Sequence, residues 1–186
     1  MTSVLESKET KKCSVRFFIA AVVLGVFATA FLDIVNYLQH LVFDKPLTRY
    51  EFIGRWVIYM TDGIFSHASI KAAAPRVGEL ALGWLGHYGI GVSFSALMLA
   101  FTGLKWMQAP SFLSAFIVGF ATCSIPFFVM YPGMGYGIAG LLTPNPGMLQ
   151  TKVLLSHFVF SVGLYLAGWF NNKWCQERWF STKGEA

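Results

Sequence analysis

Asp33, Glu79, His87 and His157 are acid and imidazole groups set inside, or at the edge of, long apolar runs. Burial and neighbours move the pKa values of these groups across neutral pH, so proton relays and ion paths use them. Two histidines with Asp33 or Glu79 are also a ligand set for zinc or another divalent metal. His87 and His157, on different segments, could instead be the two axial ligands of a b-type haem. No HExxH, GxSxG or comparable catalytic motif accompanies them. Ser156 neighbours His157 in sequence, which puts the two on different helix faces and makes a catalytic dyad a poor reading. Whether the chain is an enzyme stays open.

The elements that must position these groups are membrane helices. Of 186 residues, 55% are hydrophobic and 12% charged, about half the charged share of a soluble domain. So little polar surface suits lipid as the solvent. Four apolar segments, at about 15–43, 80–104, 110–131 and 149–170, each approach the roughly 20 residues that cross a hydrocarbon core. The expected fold is all-α, one integral-membrane bundle of four transmembrane helices filling residues 1–186. The front of the first segment resembles a signal peptide, with Ala28-Thr29-Ala30 as a cleavage-like string, but its apolar pattern runs on to Phe43. An uncleaved span is expected. Trp84, Trp106, Tyr131, Trp169 and Trp174 lie near segment ends, where aromatic belts belong.

Between the first two segments, an apolar run from Phe52 to Met60 is too short to cross and predicts an interfacial or re-entrant helix. The stretch 132–147 is dominated by glycine and proline and predicts turns. The net charge of +5 is scattered at segment ends, which suits anionic headgroups and makes nucleic acid a poor partner. Cys13, Cys123 and Cys175 have neither metal nor disulfide spacing and are read as free thiols. With both termini cytoplasmic, eight basic residues face inward and six outward, a small bias toward that orientation.

Four crossings bring four segment ends to one membrane face, and the polar residues gather toward it. Asp33, Asn36 and His40 lie in the last half of the first helix. Glu79 and His87 open the second, Pro126 breaks the third, and Lys152 and His157 open the fourth. At 1.5 Å of rise per residue, Asp33, His87 and His157 fall roughly 12–15 Å below that face. The expectation is a polar pocket of Asp33, Asn36, Glu79, His87, Lys152 and His157, with Arg55 and Asn145 at its rim. His87, His157, Asp33 and Glu79 are its candidate metal ligands. Its ligand would be a cation, a proton or a small polar solute, bound or translocated. Translocation through so thin a bundle would call for a homo-oligomer. Arg55 is expected either to pair with Glu79, Asp62 or an anion, or to anchor at the interface.

Plainer roles compete. Membrane histidines often bridge helices, Asp33 could pair with Lys152, and Glu79 could serve as a first-turn acid. Gly83, Gly86, Gly89, Gly91 and Ser93 could serve close helix packing or assembly with a partner.

Several strings are familiar together: Gly54-Arg55-Trp56, Ala73-Ala74-Pro75 before Glu79, and Leu82-Gly83-Trp84 with His87-Tyr88. To them belong Met130-Tyr131-Pro132, Thr143-Pro144-Asn145-Pro146, and His157 with Gly163-Leu164-Tyr165. They resemble a family of small bacterial inner-membrane proteins known only as a domain of unknown function, over about residues 21–166. The resemblance implies a bacterial source, the inner membrane and four helices, and carries no activity or site.

The topology has a direct test. Single cysteines introduced at Arg49 and Asn145, in a background without the native thiols, should both react with a membrane-impermeant maleimide from the same side of intact cells. Labelling from opposite sides removes the convergence.

Overall fold

The computed structural model describes the backbone of residues 2–181 and the side chains of residues 14–173. The side chains of Cys13, Trp174 and Cys175 lie outside it. Among the described residues the fold is all-α. Helix α1 is Thr2–Phe43, α2 Glu51–Thr61, α3 Glu79–Thr102, α4 Phe112–Gly133 and α5 Pro146–Ser181. Portions of α1, α3, α4 and α5 are long and apolar enough to cross a membrane, over Ser14–Phe43, Glu79–Thr102, Phe112–Gly133 and Pro146–Lys173. Large apolar side chains such as Phe18, Leu41, Leu85, Phe101 and Leu113 point outward and stay exposed. An apolar outer face of that extent suits hydrocarbon, where burial of apolar area cannot drive helices together.

Association rests instead on small residues that let backbones touch. On α1, Ala21 and Gly25 face α3. A β-carbon on Gly25 would come 2.5 Å from the Val92 Cα, and one on Gly91 would overlap the Thr29 hydroxyl. Ser95 closes this seam by donating to the Ala21 carbonyl at 2.5 Å. Gly119 of α4 meets Ser161 of α5, and Gly163 of α5 meets Ala28 of α1. Leu24, Met98, Leu99 and Leu164 fill the space between. Of the glycines expected to form a packing face on α3, Gly83 and Gly91 are at crossings. Gly89 has open space beside it, and Gly86 reaches only the Ile53 side chain at 3.8 Å.

Helix α4 is not uniform. It is α-helical over Phe112–Thr122 and widens to a π-helical turn at Pro126–Met130, where the Tyr131 N–H reaches the Pro126 carbonyl five residues back. Proline supplies no donor to the preceding turn, and a wider turn is one way to resume the ladder.

The expected short helix in the first loop is α2, lying across the start of α3. Gly54 and Gly83 make the crossing: a β-carbon on Gly54 would overlap the Glu79 carbonyl, and one on Gly83 the Tyr50 carbonyl. The rest of that loop binds the end of α4, with His67 N–H donating to the Gly133 carbonyl at 2.9 Å and Ile70 N–H to Met134 at 3.0 Å. The two long loops therefore share one end of the bundle. Of the stretch 132–147, residues 134–145 are turns with one 3₁₀ turn, Ile138–Gly140, and the ends belong to α4 and α5.

Gly83→Ala should lower the melting temperature of the detergent-purified protein by several degrees, since overpacking costs about 1–3 kcal/mol. Gly89→Ala, in the same helix but in open space, should leave it unchanged or raise it.

Candidate functional site

Two polar centres and one cavity occupy the loop end of the bundle. The first centre joins α1, α3 and the residue before α2. The Tyr50 hydroxyl donates to Asp33 Oδ1 at 2.9 Å, His87 Nε2 lies 2.9 Å from the same oxygen, and Tyr50 O and His87 Nε2 are 3.0 Å apart. A carboxylate oxygen is an acceptor, so the Tyr50 hydroxyl and an Nε2–H of His87 can both donate to Asp33 Oδ1. The rings of Tyr50 and His87 stack at 4.3 Å, with Trp84 4.4 Å from Tyr50 on another side. Burial, and next the Asp33 charge, push the Tyr50 phenol far above its ordinary range, so it acts as a donor.

The second centre joins α2 to α3. Arg55 grips Glu79 through Nε and Nη2, each contact 2.7 Å, and its Nη1 donates to the Ala73 carbonyl at 2.9 Å and the Ile70 carbonyl at 3.2 Å. The backbone N–H of Arg76 adds a third donor to Glu79 at 2.8 Å. Arg55 is 5% exposed. Of its expected roles, pairing with Glu79 is the one present. Its hydrogen bonds to Glu79 push the guanidinium above its already high range, so it stays charged.

Beside these centres lies a cavity of ≈ 330 Å³ between α1, α3, α4 and α5, covered by the chain around Tyr50. Its walls are mainly apolar, with Leu32, Ile53, Ile90, Phe94, Ile125, Val153 and Phe160 prominent. The π turn contributes Pro126 and Met130. Asn36, Arg49, Tyr50, His87, Lys152, Ser156 and His157 add polar groups. His157 Nδ1 donates to the Gly119 carbonyl at 2.9 Å, with the Thr122 hydroxyl 3.2 Å away. A carbonyl cannot donate, so the proton sits on Nδ1 and neutral His157 offers Nε2 as an acceptor.

The expected pocket is thus divided. Asn36, His87, Lys152 and His157 line one cavity. Asp33 does not, being turned to Tyr50 and His87, and Glu79 is held by Arg55. Arg55 is buried against Glu79 rather than at a rim. Asn145 accepts from the Met148 N–H at 3.2 Å and so caps α5. Lys152 pairs with neither Asp33 nor any other acid among the described residues. His40 donates from Nδ1 to the Lys45 carbonyl at 2.8 Å and closes the turn after α1. The four-donor metal set does not assemble. Among the described residues, no three His, Cys, Asp or Glu side chains come together as a metal site would need. Each acid has found a protein donor instead.

Ser156, expected on another face from His157, lines the same cavity. Sequence reasoning missed Tyr50. It stands just before a short amphipathic helix and has no spacing relation to Asp33 or His87. Only the crossing of α2 over α3 brings the three together.

Arg55→Lys should cost nearly as much stability as Glu79→Gln, because a lysine cannot make the two-pronged contact and still reach both carbonyls. Losing one partner of a buried pair costs about 3–5 kcal/mol, read as a fall in melting temperature in detergent. The double variant should lose less than the sum. An Arg55→Lys protein melting like wild type would make the residue an interfacial anchor.

No curated protein and no solved structure matches the chain. The family described as "Protein of unknown function (DUF2938)" matches residues 22–171, and the chain belongs to that family.

Proposed function

We propose that this is a multi-pass protein of the bacterial inner membrane, with cytoplasmic termini, that binds or translocates a small molecule through its intramembrane cavity. The observation that carries the reading is the cavity itself. A space of ≈ 330 Å³ is within the usual range for small-molecule sites, and apolar walls with a few convergent polar groups are their usual lining. Asn36, His87, Lys152 and His157 come to it from three helices.

The lining also narrows the choice of occupant. A bare cation would need carboxylates, and neither Asp33, which meets Tyr50 and His87, nor Glu79, which Arg55 holds, lines the cavity. A molecule with an apolar body and a polar group fits the walls better. The Nε2 of His157 can accept from such a group, while Asn36 and Lys152 can donate to it. The Tyr50–Asp33–His87 centre would then form part of the lid, since Tyr50 belongs to the chain that covers the cavity.

A small apolar aryl diazirine, photolysed in native membranes, tests the reading. Phe94, Val153 and Phe160 are buried from the outer face, so labelling there reports the cavity, while Phe18 and Leu113 report surrounding lipid. Ser156→Trp should fill the cavity and reduce labelling at the first three several-fold, with Phe18 and Leu113 unchanged. Absence of label at Phe94, Val153 and Phe160 in the native protein would sink the proposal.

A further inference from the structure

The cavity continues into a second cleft of ≈ 310 Å³ between α1 and α5. The two spaces share Asn36, Leu47, Thr48, Lys152 and Ser156. The geometry of α1 and α5 accounts for the cleft. A β-carbon on Gly163 would come 2.9 Å from the Ala28 Cα, so the helices touch there. Two turns nearer the loops, Asn36 and Gln39 of α1 face Thr151, Lys152 and Leu155 of α5 across open space. Met148, Lys152 and Leu155 at this gap are exposed, so it is open at the surface of the bundle.

Charge distinguishes this pair of spaces from the rest of the loop end. No aspartate or glutamate lines either one. Their charged side chains are Lys45, Arg49 and Lys152. Arg49 is committed to Glu51 at 2.5 Å, and Lys45 donates to the Gln39 side chain at 3.1 Å. Lys152 lines both spaces, sits inside a segment long and apolar enough to span, and has no ion-pair partner among the described residues. It lies within the first two turns of that segment with its side chain exposed at the cleft, where water or a counter-charge can meet it. Beyond it the walls turn apolar, toward Phe94, Val153 and Phe160.

Resting on the cavity reading above, we propose that the occupant is a single-chain anionic amphiphile that slides in between α1 and α5, sets its carboxylate or phosphate against Lys152, and lays its apolar chain along the cavity. A two-chain lipid does not suit a space near the lower end of ligand-pocket volumes. A neutral or cationic amphiphile would leave Lys152 unmet or face it with a like charge. The phosphate and the carboxylate share this chemistry, and the probes can separate them.

Membranes containing the full chain are photolysed with three probes of equal length carrying a chain-borne diazirine: a fatty acid, the corresponding alkyl phosphate and the neutral alcohol. Adducts are mapped by mass spectrometry. At least one anionic probe should label residues 153–160 and 90–94 about tenfold more than the alcohol, the worth of one hydrogen bond to a charged group. Whichever anion labels more strongly names the source. Lys152→Gln should bring the anion down to the level of the alcohol, and Lys152→Arg should restore most of the difference. Equal labelling by all three probes would overturn the anion assignment and leave the cavity standing. Labelling of lipid-facing Phe18 and Leu113 alone would overturn both.

Discussion

The buried ion pair between Arg55 and Glu79 decides the layout of the loop end. A guanidinium that is 5% exposed keeps its charge only where carboxylate and carbonyl oxygens surround it, and this one meets Glu79, Ile70 and Ala73. Glu79 in turn is the first residue of α3. The pair therefore pins α2 onto the start of α3, and the Gly54–Gly83 crossing removes the side chains that would hold the backbones apart. Once α2 is pinned, Tyr50 has no choice of place. It lies over α3 and reaches Asp33 of α1 and His87 of α3 together.

That arrangement sorts the charges. A carboxylate withdrawn from water takes strong donors within reach. Glu79 takes Arg55, and Asp33 takes Tyr50 and His87. Among the basic residues without an acid partner in the described part, Lys152 lines both acid-free spaces and Lys45 the outer one. These pairings leave the cavity lined by basic side chains and no acid, although the sequence set Asp33 at the depth of the two histidines.

Helix α4 contributes shape rather than charge. Pro126 forces a wide turn within a span, which turns Pro126 and Met130 toward the cavity. In the last turn of the regular helix before it, the chain offers close-packed Gly119, whose carbonyl fixes the proton of His157. A regular helix through this region would have filled the space with its own side chains.

Much of the fold was legible in the residues by themselves. Apolar runs near 20 residues or longer specify helices of spanning length, because a backbone in hydrocarbon must satisfy its own hydrogen bonds. The short run before Met60 specified α2 for the same reason, and glycine with proline specified the turns after α4. Arithmetic on the helical rise set Asp33 level with His87, and the two meet at 2.9 Å. Depth is one coordinate, however, and a site needs three. The rotation of each helix about its axis is set by which small residues meet, Gly25 with Val92, Gly91 with Thr29 and Gly163 with Ala28. Those pairings join positions far apart in the chain and leave no periodic trace. Only the tertiary structure could therefore decide that Asp33 turns to Tyr50, that Glu79 is held by Arg55, and that Asn36, Lys152 and both histidines face one cavity.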